Sequence, residues 1–282
     1  MLKGPFCSKN WMGACRSFED ADWVMVGLPY DGTCSYRPGA RFGPEAIRVA
    51  SHGLELYSPD QDKSLEDIQY YDAGDLELPI GNQEKSLRCI EQACRETLSL
   101  GKRWFGVGGE HLVTYPAVKA YTEKYEDLCV IHVDAHADLR EDYLGEPLSH
   151  ATVIRRVVER ISPVRLIQIG IRSGKKEEFQ WMHDNKTLVS DLADVEKVLH
   201  RFVGKPIYLT IDLDFFDPNL LPGTGTPEPG GHSYSDLMDI LLSIKKLNIV
   251  GADVVELSPH YDSSGVSTMV AAKVIREVLL LS

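Results

Sequence analysis

Cysteine is scarce in this 282-residue sequence, and its spacing follows no recognised pattern. None of the six cysteines stands in a C-x-x-C pair, and together they form no disulfide-like framework for a chain of this size. They therefore indicate reduced thiols in an intracellular protein. They are Cys7, Cys15, Cys34, Cys89, Cys94 and Cys129.

Long apolar runs are also missing from the sequence. No run approaches the roughly 20 residues that would span a bilayer. Residues 1–7 lack the apolar core of a signal peptide. We therefore expect a cytoplasmic protein that has no membrane partner.

Positive charge is in deficit, with 30 Lys and Arg against 42 Asp and Glu and a net charge of −12. This balance disfavours nucleic acid or an anionic membrane surface as a partner, and it mildly favours the attraction of cations. The sequence also has no long linker, low-complexity tract or internal repeat. Residues 1–282 are therefore predicted to form a single domain.

Short apolar runs rich in β-forming residues alternate with amphipathic stretches along the chain. Two of these stretches, residues 83–100 and 150–161, carry apolar side chains at helical spacing, and their apolar faces should cover a sheet. The alternation predicts an α/β protein with a mostly parallel central sheet. The predicted strands are residues 23–28, 68–71, 104–107, 128–133, 166–169, 207–211 and 249–255.

The most informative stretch is residues 130–138, an apolar run that ends in Asp134, His136 and Asp138 at every second position. On an extended backbone these three side chains point the same way. Two carboxylates and an imidazole at the end of a buried strand suit a divalent metal, because uncompensated charges there would be costly. The alternative is three solvated loop residues, which the strict alternation disfavours.

Two further strand ends carry possible metal ligands. Asp212 and Asp214 share a face, and their carboxylates would repel each other without a cation between them. His111 follows two glycines, and alone it would more often be structural. The three strand ends offer two imidazoles and four carboxylates, which is too many for one closed zinc site. They favour a pair of Mn²⁺ ions, with Fe²⁺, Co²⁺ or Ni²⁺ as alternatives, and hence metal-assisted hydrolysis.

These motifs resemble those of the ureohydrolase (arginase and agmatinase) family, and most nearly its agmatinase branch. The resemblance extends over almost the whole chain, and the loops at residues 27–48 and 223–231 are similar to that branch as well. Each motif is modestly specific, but five in the same order are strongly so. They are residues 109–111, 134–138, 149–150 and 212–214, and Glu256.

The resemblance implies a three-layer α/β/α fold of the arginase/deacetylase type and two Mn²⁺ ions per chain. It also implies a homo-oligomer, often a trimer or hexamer. In this family pattern Asp134 and Asp212 bridge the two ions. One ion would be held by His111, Asp134, Asp138 and Asp212, and the other by Asp134, His136, Asp212 and Asp214.

The same resemblance implies hydrolysis of agmatine to putrescine and urea, through attack of a metal-bridging hydroxide on the guanidinium carbon. Asp138 would orient the hydroxide and relay a proton, and Glu256 would pair with the guanidinium. His150 would act as a proton shuttle. Taken without the family, Glu256 could be a helix-capping or salt-bridged acid, and His150 a surface histidine. His132 is interpreted as structural or solvent-facing.

The loop at residues 139–149 should pass over the metal centre and set selectivity. It lacks the Asn- and Thr-rich sequence by which arginases hold an amino-acid headgroup. Its acids Glu141 and Asp142 are candidate ligands for the distal ammonium of a small cationic guanidino substrate. Glu228 and Glu256 complete the set of candidate substrate ligands.

Arg140 in this loop bears on the predicted substrate, and Ala151 just after it bears on the predicted role of His150. An inward-facing Arg140 would favour a carboxylate-bearing substrate such as guanidinobutyrate, although a solvent-facing arginine is commoner. Ala151 stands where the family more often has glycine. If that glycine adopts positive φ, His150 would sit differently in this chain.

Several other functions are compatible with parts of the sequence. Guanidinobutyrase, guanidinopropionase, arginase and formimidoylglutamase are alternatives within the resemblance. A deacetylase-like hydrolase with a single zinc ion would need fewer acidic ligands and no His111. A non-catalytic polyamine-binding protein would have no need of the full ligand set.

Overall fold

The computed structural model describes residues 10–14 and 17–281, so Cys7 and Cys15 lie outside the described residues. Strands lie at Trp23–Gly27 (β1), Tyr57–Ser58 (β2), Lys63–Ser64 (β3), Tyr70–Asp75 (β4), Arg103–Val107 (β5), Cys129–Val133 (β6), Leu166–Ile169 (β7), Leu188–Val189 (β8), Pro206–Asp212 (β9) and Asn248–Val255 (β10). Helices lie at Gly43–Ser51 (α1), Gln83–Ser99 (α2), Thr114–Lys124 (α3), Val153–Ile161 (α4), Lys176–Asn185 (α5), Val195–Leu199 (α6), Tyr234–Ile244 (α7) and Val266–Leu279 (α8).

Eight of these strands form one sheet in the order β4-β1-β5-β10-β9-β6-β7-β8. Every neighbouring pair in it is parallel. Parallel neighbours need crossover connections, and helices supply most of them. β2 and β3 make a separate antiparallel pair. The predicted parallel sheet is therefore confirmed.

Helices cover both faces of the sheet, so the predicted three-layer arrangement is also confirmed. On one face α1, α6, α7 and α8 pack against the strands through residues such as Ile47, Leu241 and Ile275. On the other face α2 to α5 do so through residues such as Ile90 and Val157. Both faces are apolar because strands buried on two sides need apolar residues at every position.

The short strands β2, β3 and β8 were not predicted, and two predicted elements start differently. The strand predicted at residues 68–71 begins at Tyr70 and runs on to Asp75. The helix predicted from His150 begins with a 3-10 turn, His150–Thr152, before α4, because Ser149 and Thr152 form a capping box that sets the entry of the chain. Among the described helices, none has both the length and the apolar character needed to cross a bilayer.

All eight strands point the same way, so their carboxyl ends share one edge of the sheet. The segments that follow the central strands β5, β6 and β10 contain His111, Asp134 and Glu256, and Asp212 is the last residue of β9. Ligands of open parallel sheets bind beyond the carboxyl ends of the strands. The fold therefore brings the predicted ligands together at the edge where a site forms.

Candidate metal centre and adjoining pocket

Three of the predicted metal ligands surround a buried imidazole nitrogen of a fourth, His111. His111 Nδ1 lies 3.0 Å from Asp134 Oδ2, 3.2 Å from Asp138 Oδ2 and 3.3 Å from Asp212 Oδ2. The four residues come from three different strand ends and are all buried. Three carboxylates thus converge on one nitrogen, the arrangement predicted for the first metal.

The second group of predicted ligands adjoins the first through Asp134. His136 Nδ1 lies 2.9 Å from Asp214 Oδ2 and 3.6 Å from Asp134 Oδ1. Asp212 Oδ1 accepts a hydrogen bond from the Asp214 backbone N–H at 2.8 Å, which ties the two groups together. Asp134 therefore lies between the two imidazoles, with one oxygen toward each.

The protonation of these residues indicates that a cation is needed. Burial, followed by the charges of Asp214 and Asp134, raises the pKa of Asp212 well above its usual value. Burial alone would lower the pKa of His111, but Asp134, Asp138 and Asp212 outweigh it and raise that pKa well above its usual value. Both shifts arise because several carboxylates are buried together, and a cation among them would offset their repulsion. His111 Nδ1 also has no hydrogen bond of ordinary geometry within the described residues. This oxygen-rich donor set with two imidazoles fits two divalent metal ions.

Two site residues hold left-handed backbone conformations although they are not glycine. Asp138 has φ of 52° and Glu256 has φ of 70°. Such conformations cost about 1–3 kcal/mol each and persist only where the surroundings impose them. Backbone strain at Asp138 and Glu256 supports a functional role for both residues.

Glu256 follows β10 and turns its carboxylate toward the metal ligands. Its Oε1 accepts a hydrogen bond from the His111 backbone N–H at 2.8 Å. Burial, with the nearby charge of Glu110, raises the pKa of Glu256 well above its usual value. Among residues 10–14 and 17–281, no Lys or Arg forms an ion pair with it. A buried carboxylate of this kind is suited to a cationic ligand.

His150 lies at the start of the turn before α4. Its Nε2 is 3.1 Å from Ser35 Oγ, and its backbone N–H donates to Thr33 Oγ1 at 3.0 Å. Burial lowers its pKa, and the charge of Asp138 opposes that shift. Ala151 is absent from the residues with positive φ, so replacement of the family's glycine imposes no left-handed strain here.

Three residues that contact the site had no assigned role in the sequence analysis. Thr33 links His150 to the buried Glu110, since its backbone N–H donates to Glu110 Oε2 at 2.8 Å and its hydroxyl donates to Oε1. His132 Nε2 lies 2.7 Å from Asp134 Oδ2. The alternation of residues 132, 134, 136 and 138 was the signal that could have added His132. No signal in the sequence joins Thr33 to Glu110, because they are 77 positions apart.

A cavity of about 240 Å³ opens beside the metal ligands. It contains one acid outside the predicted site, Glu178, and two cationic residues, Arg140 and Lys175. Glu178 is buried and accepts hydrogen bonds from the backbone N–H groups of Leu139 at 2.8 Å and of Lys175 at 2.7 Å. Its carboxylate is therefore held rigidly at the wall of the cavity.

Three of the four candidate substrate ligands, all except Glu256, do not line this cavity. Glu141 is exposed and pairs with Arg155 and Arg156 of α4. The side chain of Asp142 accepts a hydrogen bond from the Gly145 backbone N–H at 2.8 Å. Glu228 contributes its backbone carbonyl, which accepts from Arg172 at 2.6 Å. The geometry places Glu178, rather than these acids, at the cavity.

Arg140 does face inward, contrary to the commoner solvent-facing orientation. Its Nε lies 3.8 Å from Glu178 Oε2, and its guanidinium stacks over the Tyr143 ring at 5.1 Å. The Tyr143 ring in turn lies 5.7 Å from the His150 ring. Arg140 and Tyr143 of the loop after Asp138 therefore line the cavity, and the role of this loop in selectivity stays a prediction.

Comparison with known proteins identifies chains of the same kind. The sequence model described as "Arginase family" matches residues 21–281. An agmatinase of Bacillus anthracis is 49% identical over 280 residues, which are 98% of this chain and 97% of that protein. An agmatinase of Bacillus subtilis is 46% identical over the same shares of the two chains. A solved structure from Clostridium difficile is 47% identical, covers 94% of this chain and 98% of its own, and superposes with a TM-score of 0.91.

Proposed function

The chain belongs to the arginase family, and we propose that it is a binuclear manganese amidinohydrolase that converts agmatine to putrescine and urea. The observation that carries this proposal is Glu256, a buried carboxylate held beside the metal ligands by the His111 backbone N–H. A guanidinium is the planar cation that such a carboxylate pairs with best. The agmatinases named above support agmatine as the substrate that carries this guanidinium.

The proposed metal ligands fall into the two groups that the structure brings together. When bound, the two ions supply Lewis acidity that lowers the pKa of water and so provides a nucleophile near neutral pH. Manganese suits a set with more carboxylates than imidazoles. The first group is His111, Asp134, Asp138 and Asp212, and the second is Asp134, His136, Asp212 and Asp214.

The remaining steps are assigned to side chains of the protein. Glu256 holds the guanidinium carbon over the site, which converts the attack into an oriented, effectively unimolecular step. Asp138, on the cavity wall, carries the proton from the nucleophile to the departing amine. The C–N bond to the amine then breaks, releasing urea and putrescine. The lowered pKa of His150 keeps its imidazole neutral near pH 7, so that it can take up the proton lost as the nucleophile forms and pass it to the free amine, which leaves as the ammonium.

The rest of agmatine extends into the cavity lined by Glu178. The distal ammonium would meet the Glu178 carboxylate, which is rigidly oriented by two backbone N–H groups. Arg140 competes for the same carboxylate, with Nε 3.8 Å from Oε2. Guanidinobutyrate remains the second candidate substrate, because Arg140 could pair with its carboxylate instead.

Urea release from a panel of guanidino compounds tests the proposed substrate. With manganese-loaded protein, agmatine is expected to be hydrolysed faster than guanidinobutyrate, guanidinopropionate, arginine or formimidoylglutamate. The same protein treated with a chelator should release no urea, because the nucleophile depends on the ions. Urea formation from guanidinobutyrate at the rate of agmatine or faster would refute the proposal.

Replacing Arg140 with glutamine separates the two candidate substrates. In Arg140→Gln the Glu178 carboxylate loses its competing cation, so KM for agmatine should fall by a few-fold, as for one partly exposed charge contact of about 1 kcal/mol. KM for guanidinobutyrate should rise. Arg156→Gln is the matched control, because Arg156 pairs with Glu141 away from the cavity. A rise in KM for agmatine in Arg140→Gln alone would favour the carboxylate-bearing substrate.

The proposed setting is a cytoplasmic homo-oligomer, a trimer or hexamer, without nucleic-acid or membrane partners. The four described cysteines are free thiols, which suits a reducing compartment. Several apolar side chains on or beside the packed helices α1 and α8 are exposed, which suits contact with another copy of the chain. They are Phe42, Val49, Val266 and Met269.

A further inference from the structure

A buried chain of hydrogen bonds adjoins the candidate metal ligands, and its side chains do not line the cavity. His132 of β6 is paired in register with Gln168 of β7, and both are fully buried. The two ring nitrogens of His132 have different neighbours. Nε2 lies 2.7 Å from Asp134 Oδ2, and Nδ1 lies 3.2 Å from Gln168 Nε2. The tautomer of His132 therefore determines whether Nε2 donates a hydrogen bond to Asp134 Oδ2.

The orientation of the Gln168 side-chain amide is set by its other contacts. Its Nε2 lies 3.1 Å from the carbonyl oxygen of Ala137, which can only accept a hydrogen bond. Its Oε1 lies 3.0 Å from the hydroxyl of Thr187, which can donate. A flipped amide would place two acceptors against each other at Ala137. Gln168 Nε2 therefore donates one hydrogen to Ala137 and has its second directed at His132.

This orientation determines which ring nitrogen of His132 carries the proton. A neutral imidazole has one donor and one acceptor nitrogen. Because Gln168 donates to Nδ1, that nitrogen is the acceptor, and Nε2 carries the proton. Nε2–H then donates to Asp134 Oδ2 at 2.7 Å. His132 lies near enough to His111, Asp134 and Asp138 to join a metal site by distance alone, but its ligating nitrogen is occupied by this proton.

We infer that His132, with its tautomer set by Gln168 and Thr187, is a positioning residue that fixes the orientation of the Asp134 carboxylate between the two metal ions. Asp134 Oδ1 is held by the His136 backbone N–H at 2.5 Å, on the side of the second group. Its Oδ2 is held by His132 and faces His111 Nδ1 at 3.0 Å. Each oxygen thus has one fixed donor and one open direction. The inference rests on the proposed function only in taking Asp134 as a metal ligand.

The same Gln168 side chain also restrains the loop that carries the ligands. Ala137, whose carbonyl accepts from Gln168, immediately precedes Asp138 with its left-handed backbone. Hydrogen-bond partners of metal ligands change metal affinity by about 10- to 100-fold when they are removed. A loss of this size is expected when the hydrogen bond from His132 to Asp134 is removed, without any change in the ligands themselves.

Two substitutions of similar size test whether His132 acts through its hydrogen bond or only fills space in the core. In His132→Gln the side-chain amide nitrogen falls near the place of Nε2 and can still donate to Asp134. In His132→Met the volume is similar but the donor is gone. Mn²⁺ affinity should fall about 10- to 100-fold in His132→Met and change little in His132→Gln. Titration of apoprotein with Mn²⁺ against a chelating indicator measures this without using activity, and the melting temperature of each apoprotein reports folding.

The outcomes distinguish this inference from the proposed function. Equal loss of affinity in both variants, or no loss in either, would overturn the positioning role while wild-type protein still bound two ions. Wild-type protein that bound no ions would overturn the proposed function and the inference with it. If His132→Met does not fold, Gln168→Met tests the same chain one step further back. It should weaken Mn²⁺ binding about fivefold, because His132 loses the donor that sets its tautomer, and unchanged affinity there would also overturn the inference.

Discussion

Asp138→Asn is expected to lower kcat for agmatine by about 10³-fold, within the range for loss of a positioned acid–base group. The substitution removes the carboxylate that carries the proton and one oxygen that faces His111 Nδ1 at 3.2 Å. Asparagine tolerates left-handed backbone better than most residues, so φ of 52° can be kept. The rate of urea release and the metal content of the purified variant measure the two effects separately.

The control for Asp138→Asn is Glu141→Gln, three positions later in the same loop. Glu141 is exposed, pairs with two arginines of α4 and is absent from the cavity wall. Its replacement should leave turnover within about twofold of wild type, because exposed ion pairs contribute little. Wild-type turnover in Asp138→Asn would remove Asp138 from the mechanism.

Glu256→Gln should lower kcat/KM for agmatine by about 10²- to 10⁴-fold while leaving the metal content unchanged. Glutamine keeps the size of the side chain and can still accept from the His111 backbone N–H. It cannot neutralise the guanidinium, and breaking a buried pair of charges costs about 3–5 kcal/mol. Steady-state urea release and metal analysis on the same preparation give both quantities.

The unchanged metal content distinguishes Glu256→Gln from loss of a metal ligand. A variant with normal kcat/KM would show that Glu256 does not hold the substrate. A variant that lost both ions would instead make Glu256 part of the metal site. Gly225 offers a second probe of the position, because a side chain there would approach Glu256 Oε2 to 3.1 Å.

The clustering of the candidate metal ligands could be predicted from the sequence because each lies at or shortly after the end of an apolar strand. The alternation predicted one shared face for Asp134, His136 and Asp138, but β6 ends at Val133 and Asp138 has φ of 52°, so the three residues lie in the loop that follows the strand. Parallel strands also present their carboxyl ends at one edge, which brings Asp212 and His111 to the same place without knowledge of strand order. The position of these residues at strand ends and the common direction of the strands were sufficient to predict that they lie close together.

The substrate end of the site was harder to predict because its residues lie in loops. Nothing in the sequence around Glu141 indicates that it forms ion pairs with Arg155 and Arg156, since these partners come from a helix 14 and 15 positions later. Glu178 was missed because it begins a helix, where an acid is expected for capping alone. Its place at the cavity depends on how α5 packs, which local pattern does not reveal.

The position of β10 has a consequence for how the protein is made. This strand follows the other nine in the chain, yet it lies between β5 and β9 in the centre of the sheet. A chain emerging from the ribosome therefore holds two partial sheets with unpaired edges until residues 248–255 are synthesised. Such edges favour aggregation, and long-range pairing of this kind folds slowly. During that interval the nascent chain would depend on chaperones, and it would lack Glu256 altogether.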